Sequence, residues 1–156
     1  MAERWVGVSV SGDRVILVDA CVDKAGPIVV LSDQSWKLQN GDRARAYAIM
    51  YQQATDYLRD NKVQKVVIKA SALSLGSTKL AHLEAAELRG VVMAAAASCC
   101  EIQALAKAHI SRTFGSRKVD EYVKDDKFWA TEMAGESLRV GSREAAIVLL
   151  AARAAV

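Results

Sequence analysis

Apolar and polar residues alternate over the first part of the chain in three short runs that predict consecutive β-strands. The first run, residues 4–13 (RWVGVSVSGD), is rich in β-branched residues and ends in a Gly-Asp turn. The second run covers residues 14–21, and the third covers residues 27–33 after another glycine. Strands that are joined by such short turns pair in an antiparallel arrangement, so the pattern predicts three antiparallel strands.

The rest of the chain alternates between helical and strand patterns. Apolar residues at helical spacing predict a helix over residues 41–61, capped by Asp42, and another that Ser77 or Thr78 caps and that ends near residue 98. Two short apolar runs predict strands at residues 63–68 and 101–105. Further helices are predicted at residues 106–112, 117–129 and 143–154, and residues 130–141 are predicted to form a loop.

This order of elements predicts the fold class. Three antiparallel strands followed by alternating helices and strands indicate an α/β fold with a five-stranded mixed sheet, in which the later strands run parallel and helices flank the sheet. A chain of 156 residues without a break in composition is expected to form a single domain over residues 1–156.

Composition excludes several classes of protein. No apolar run reaches the roughly 18–20 residues that a membrane span needs, and the first residues lack the layout of a signal peptide, so a cytoplasmic protein without a membrane partner is expected. A net charge of +3 is too small to indicate nucleic-acid binding by itself. Cys99 and Cys100 are adjacent but have no other ligand at metal-binding spacing, which favours small apolar side chains over a redox or metal pair. No cofactor is predicted.

Four segments resemble the RuvC-type Holliday-junction resolvases of the ribonuclease H-like superfamily. Residues 6–10 (VGVSV) stand where that family has a Gly-Ile-Asp-Pro-Gly type strand, and residues 66–69 (VVIK) stand where its fourth strand ends in a catalytic Glu. Residues 87–92 (ELRGVV) are similar to the family's Gln-Ala-Arg-Gly-Val. Residues 143–151 (REAAIVLLA) parallel the final helix of the family. The resemblance covers nearly the whole chain and implies a ribonuclease H-like topology.

The same resemblance implies that the metal site of the family is degenerate in this chain. The four family carboxylates fall on Ser9, Lys69, Arg143 and Ala146. Hydrolysis by two Mg²⁺ ions needs carboxylate ligands, and a cationic side chain repels such ions. We therefore expect a non-catalytic pseudo-nuclease that works as a binding or scaffold module. The alternative is a metal-dependent, structure-selective nuclease with a relocated acidic site, for which Glu144, Asp13 and Asp19 are the candidate ligands.

Three kinds of partner remain open for such a module: a protein, a second copy of the chain, or nucleic acid. Lys69 and Arg143, next to a helix N terminus, form a candidate anion site, although Arg143 could equally be a solvated surface residue. Candidate nucleic-acid contacts form a basic cluster, with a charge-mixed solvated face as its alternative: Lys107, Arg112, Arg117 and Lys118. A stripe of small residues is expected to pack against the sheet, with a homodimer contact as its alternative: Ala86, Gly90, Ala94 and Ala97.

Overall fold

The computed structural model describes residues 2–73, 76 and 78–155. Six strands form a sheet within these residues: β1 Glu3–Ser11, β2 Arg14–Val22, β3 Ile28–Lys37, β4 Lys65–Lys69, β5 Glu101–Leu105 and β6 Met133–Gly135. Six helices accompany them: α1 Arg43–Asp60, α2 Leu80–Ala97, α3 Lys107–Phe114, α4 Val119–Val123, α5 Asp126–Glu132 and α6 Arg143–Ala154. A single 3₁₀ turn, Val140–Ser142, leads into α6.

The sheet is mixed, and its strand order is β5-β4-β1-β2-β3-β6. β1, β2 and β3 pair in antiparallel fashion, as their short connections predict. β4 lies parallel to β1, β5 lies parallel to β4, and β6 lies parallel to β3. The predicted α/β class, with antiparallel strands followed by parallel ones between helices, is confirmed.

The sixth strand corrects the prediction of a loop over residues 130–141. Met133–Gly135 adds three residues to the edge of β3, and the main-chain N–H of Glu136 donates to Val30 O at 2.9 Å. Gly135 has φ +88, and a Cβ on it would lie 2.5 Å from Val30 O, so a glycine is required there. A strand this short carries no readable alternation, and only its partner strand defines it.

Alternation along the strands gives the sheet two different buried faces. One face packs on α1 and α2 through Val6, Val8 and Ile68. The other face packs on α6 through Val18 and Val67. α6 is buried on nearly all sides, as its apolar sequence predicts. Among the described helices, none is long and apolar enough to cross a lipid bilayer.

The helices depart from the predicted boundaries in several places, and α3, for example, ends at Phe114 instead of residue 112. The predicted helix over residues 117–129 is two short helices, α4 and α5, and Lys118 is the N-cap residue of α4. α2 begins at Leu80 with Lys79 as its N-cap residue, so Thr78 is not its cap, and Ser77 lies outside the described residues. Asp42 caps α1 as predicted, because its carboxylate accepts from the N–H of Ala44 at 2.9 Å.

The stripe of small residues on α2 faces outward, so its predicted packing against the sheet is wrong. Ala86, Gly90, Ala94 and Ala97 are all exposed. A Cβ on Gly90 would meet no atom within 4 Å. The sheet-facing side of the helix is formed instead by other residues: Ala85, Leu88, Val92, Ala95 and Ala96.

Candidate functional site

The candidate site lies at the carboxyl ends of β1 and β4, where the N terminus of α6 meets them. Val8 and Ile68 are register partners, so Ser9 and Lys69 follow them on the opposite face of the sheet, which is the face of α6. Ser9 is buried, with 6% of its surface exposed, and Ala146 is fully buried. The structure therefore brings Ser9 and Lys69 to the beginning of the last helix.

Lys69 forms an ion pair with Glu144 at this position. Its ammonium Nζ lies 3.3 Å from Glu144 Oε1, across 75 residues of sequence. The lysine side chain is 20% exposed and the glutamate side chain is 38% exposed, so both charges are partly withdrawn from water. Glu144 also lies in the first turn of α6, where a carboxylate complements the helix dipole.

Arg143 points away from Lys69, towards α4 and α5. Its Nη1 donates to Val123 O at 2.9 Å, and its Nη2 donates to Asp126 Oδ1 at 2.8 Å. Only 11% of its side chain is exposed, so the interpretation of Arg143 as a solvated surface residue is wrong. The two cations of the predicted anion site thus have separate carboxylate partners, and the anion site itself stays a prediction.

Asp13 and Asp19, the other candidate ligands of a relocated acidic site, do not lie beside Glu144. Asp19 faces the opposite side of the sheet, where it accepts from Arg4 Nη2 at 2.7 Å and from the hydroxyl of Tyr57 at 2.6 Å. Its carboxylate is fully buried in this network. Asp13 lies exposed in the turn between β1 and β2. Asp19 was therefore the wrong candidate for a relocated acidic site.

The donor set at the candidate site does not fit two divalent cations. Mg²⁺ takes oxygen ligands, mainly carboxylates and water. Here the side chains are a serine hydroxyl, an ammonium group and one carboxylate that the ammonium already neutralises. The described residues contain no group of three or more His, Cys, Asp or Glu side chains that could hold a metal ion.

The predicted basic cluster around α3 is paired with acidic residues. Lys107 Nζ lies 3.5 Å from Asp120 Oδ2, and Arg117 Nη2 lies 3.0 Å from Asp125 Oδ2. Arg117 also lies over the ring of Tyr122, 4.2 Å from its centroid. These contacts support the charge-mixed alternative for Lys107 and Arg117, whereas Arg112 and Lys118 form no ion pair among the described residues.

Three cations that the sequence interpretation missed lie at the same edge of the sheet. Arg14 and Lys37 are register partners in β2 and β3, both exposed, and neither has an ion-pair partner among the described residues. Arg89 of α2 donates through Nη2 to Val10 O at 3.0 Å and through Nη1 to Ser71 Oγ at 2.5 Å. Burial lowers the pKa of its guanidinium. The available signal for Arg89 was its position as the single arginine of α2.

A second missed cluster anchors the turn before α6. Asp33 Oδ1 accepts from Ser142 Oγ at 2.5 Å and from Arg139 Nη2 at 2.7 Å, and only 6% of the aspartate side chain is exposed. Burial raises the pKa of Asp33, but the hydrogen bonds from Arg139 and Ser142 outweigh it, so the pKa lies below its ordinary value. Because Asp33 and Arg139 are 106 positions apart in the sequence, no local pattern could reveal this contact.

The adjacent cysteines lie half-buried at the end of α2, and the thiols are free. Burial raises the pKa of Cys100 to about 11, with further contributions from Cys99 and Glu101. A thiol with such a pKa is almost entirely protonated at neutral pH and makes a poor nucleophile or metal ligand. This environment agrees with their interpretation as small apolar side chains.

Comparison with known proteins identifies the fold. The Thermus thermophilus RuvC structure superimposes with a TM-score of 0.73 and 15% sequence identity, and the match covers 97% of this chain and 95% of that one. The chain has a RuvC-like fold. T. thermophilus RuvC in complex with Holliday junction substrate gives a TM-score of 0.71 at 14% identity, over 97% of this chain and 94% of that one.

The yeast mitochondrial Holliday junction resolvase Ydc2 gives a TM-score of 0.64 at 10% identity, over 97% of this chain and 79% of that one. No protein-family model matches the chain, and no curated protein matches it by sequence. These likenesses confirm the RuvC-like, ribonuclease H-like fold that the four sequence segments predicted. At such low identity they establish the fold, and the function has to be argued from the side chains.

Proposed function

We propose that this chain binds nucleic acid through the carboxyl edge of its sheet and holds it without metal-dependent cleavage. The observation that carries the proposal is the ion pair between Lys69 and Glu144, 3.3 Å apart, at the junction of β4 and α6. An ammonium group there repels divalent cations, while it attracts a phosphate. The edge of the sheet is thus suited to the phosphate backbone rather than to metal ions.

The charges around this position support a phosphate-binding surface. Arg14 and Lys37 lie side by side and form no ion pair among the described residues. Arg89 anchors the end of β1 through its main-chain contact with Val10 and adds a third cation. Contacts from such side chains to phosphate oxygens position a nucleic acid without reading its sequence. We therefore expect affinity that depends weakly on sequence and strongly on salt.

The fold supports nucleic acid over a protein partner. A structure with the same fold, T. thermophilus RuvC, is described in complex with Holliday junction substrate. We propose that the present chain shares this class of ligand, with branched DNA as the first substrate to test. Because the donor set at the site differs from a two-metal set, the shared ligand does not extend to shared cleavage.

The test is fluorescence anisotropy with a labelled four-way DNA junction and a labelled duplex, each at several salt concentrations. We expect Arg14→Ala/Lys37→Ala to reduce the slope of log K against log salt by about 2, because two phosphate contacts are lost. Lys24→Ala/Arg59→Ala is the matched control, since both residues are exposed and lie away from Arg14 and Lys37, Lys24 in the turn between β2 and β3 and Arg59 in the last turn of α1. Absence of binding at low salt, or equal slopes for the two double variants, would contradict the proposal.

Incubation of the junction with protein and Mg²⁺ or Mn²⁺ separates the proposal from the alternative. We expect no cleavage and no saturable increase in melting temperature at millimolar Mg²⁺, because a ligand that binds the native state must stabilise it. Metal-dependent cleavage of the junction would establish the structure-selective nuclease instead.

We also propose that the outward face of α2 is a self-association surface. Gly90 lies in the middle of this face with open space beyond it. Large apolar side chains lie exposed at the beginning of the helix, with Leu80 70% exposed and Leu83 55% exposed. Small residues along one helix face allow a second helix to approach closely, and the exposed leucines supply apolar area to bury.

A further inference from the structure

A cleft of about 330 Å³ opens between α5, β6 and the beginning of α6. It lies apart from the Lys69–Glu144 pair, on the side towards which Arg143 turns. Its walls combine one arginine with apolar and acidic side chains: Asp126, Trp129, Met133, Glu136, Leu138 and Arg143. A volume of this size is at the lower end of the range for small-molecule sites in proteins.

The guanidinium of Arg143 is held in place but incompletely bonded. Nη1 donates to the main-chain oxygen of Val123, and the guanidinium carbon lies 5.9 Å from the centroid of the Trp129 ring. Nη2 reaches Asp126 Oδ1 at 2.8 Å, whereas Nε is buried and has no hydrogen-bond partner among the described residues. A carboxylate normally spans two donors of a guanidinium with parallel hydrogen bonds. Asp126 therefore accepts from Nη2 alone and leaves Nε, the second donor on that side of the guanidinium, without an acceptor in the described part of the chain.

Asp126 is an easily displaced partner. Its side chain is 86% exposed, whereas that of Arg143 is 11% exposed. An ion pair with so exposed a partner contributes little stability, because the carboxylate is nearly as well solvated when it is free. A ligand carboxylate that enters the cleft can replace Asp126 as the acceptor for Nη2.

The rest of the cleft selects the body of such a ligand. Trp129, Met133 and Leu138 offer apolar surface, and Trp129 is fixed by a hydrogen bond from its indole Nε1 to Tyr122 O at 3.0 Å. Glu136, exposed at the cleft, adds negative charge together with Asp126. Two carboxylates at the opening repel a polyanion such as nucleic acid more strongly than a ligand with a single negative charge.

We propose that this cleft binds small monocarboxylates with a short apolar body, with Arg143 as the carboxylate-binding residue and Asp126 as its internal competitor. The proposal is independent of nucleic-acid binding at the carboxyl edge, because it uses different side chains. It also assigns a role to the first residue of α6 other than that of a degenerate metal ligand.

The experiment titrates N-acetyl-leucine into the ¹⁵N-labelled protein and follows the indole N–H signal of Trp129 by NMR. We expect a saturable shift with a dissociation constant on the order of millimolar, as befits so small a ligand. Two control ligands should each bind at least about tenfold more weakly than the acid. N-acetyl-leucinamide lacks the negative charge, and inorganic phosphate lacks the apolar body. Equal responses to the acid and the amide, or no saturable response to the acid, would overturn the proposal.

Variants test the two roles separately. Asp126→Asn removes the competitor at an exposed position and should strengthen binding by up to about fivefold. Arg143→Met should abolish binding, while Arg153→Met, a change at a partly buried arginine of the same helix, should leave it unchanged. If Arg143→Met does not fold, the Asp126→Asn result decides: unchanged or weaker binding in that variant refutes the competition and with it the proposal.

Discussion

Gly7 of β1 and Ala145 of α6 are in direct main-chain contact. A Cβ built on Gly7 would lie 1.9 Å from the carbonyl oxygen of Ala145 and 2.9 Å from Cγ of Leu149. α6 therefore rests on the backbone of β1 without an intervening side chain. This close approach brings Glu144 to the end of β4, where it meets Lys69.

Gly7→Ala is expected to destabilise the protein by about 3 kcal/mol or more, since neither the helix backbone nor the strand can move without disturbing the core. Urea unfolding at neutral pH measures the change. Gly90→Ala is the matched control, because the added methyl group meets no atom within 4 Å and alanine favours the helix. That control should be stabilised by about 0.5–1 kcal/mol. A loss below about 1 kcal/mol for Gly7→Ala would contradict the close contact.

Acid should weaken the protein partly through Asp33. Its pKa in the folded state lies below the ordinary value, because hydrogen bonds from Arg139 and Ser142 outweigh the effect of burial. A depressed carboxyl pKa stabilises the fold above the pKa of the unfolded chain, about 3.9, and this stabilisation is lost as pH falls through the folded pKa. The free energy of unfolding of wild type should therefore approach that of Asp33→Asn between about pH 4 and pH 2.

Arg139→Met provides the control for Asp33, because it removes the largest of the contacts that lower the pKa. The acid-induced loss of stability should be smaller in this variant than in wild type and should be complete at higher pH. A constant difference between wild type and Asp33→Asn from pH 7 to pH 2 would show that the carboxylate contributes no pH-dependent stability.

The local sequence determined the bounds of the last helix, as it did those of β5. The predicted range of residues 143–154 coincides with Arg143–Ala154, because an almost wholly apolar run has only the core of the domain in which to bury itself. β6 could not be predicted in the same way. Its three residues form a strand because β3 leaves an edge beside them, and that neighbour is distant in sequence.

The candidate site was predictable in position but not in its contacts. The order of the strands and helices placed Ser9 and Lys69 at one edge, because the ends of parallel strands meet there. The partner of Lys69 is 75 residues away, and the partners of Arg143 are the main-chain oxygen of Val123, 20 residues away, and the carboxylate of the exposed Asp126. Such pairs depend on how helices pack, which residue spacing does not encode.

Tyr57 should remain un-ionised in strongly alkaline solution. Burial and the hydrogen bond to Asp19 raise its pKa to about 12, and the unfolded value is about 10. A raised acid pKa stabilises the fold below about pH 10, and this stabilisation is lost as pH rises through about 12. Difference spectrophotometry of wild type and Tyr57→Phe isolates this one titration. A midpoint near 10 in the folded protein would contradict burial of the hydroxyl between Asp19 and Ser32.

Gly90→Leu tests self-association through α2. The substitution has open space in the monomer and improves helix propensity, so the monomer should be at least as stable as wild type. The leucine side chain would block close approach of a second α2. The dissociation constant of the dimer should therefore rise about tenfold, or the dimer should be lost, because one overpacked contact costs about 1–3 kcal/mol. Sedimentation equilibrium measures the change, with Gly90→Ala as the conservative control. A wild-type chain that sediments as a monomer at high concentration would refute the surface.

Glu144→Gln distinguishes the two functions most directly. If Lys69 contacts phosphate, removal of the opposing carboxylate frees a full positive charge at the edge of the sheet. The slope of log K against log salt for a DNA junction should then become steeper by up to about 0.9, and the affinity at low salt should rise. The amide oxygen still accepts from Lys69, so stability should change by less than about 1 kcal/mol.

The nuclease alternative predicts the opposite outcome for the same variant. A relocated metal site would need Glu144 as a ligand, so its amide would abolish metal-dependent cleavage and any increase in melting temperature with Mg²⁺. Lys69→Met supplies the second comparison, because it should make the salt slope shallower whether or not Glu144 is changed. If Glu144→Gln and Lys69→Met both bind the junction as wild type does, the Lys69–Glu144 pair serves packing alone and the phosphate contact lies elsewhere.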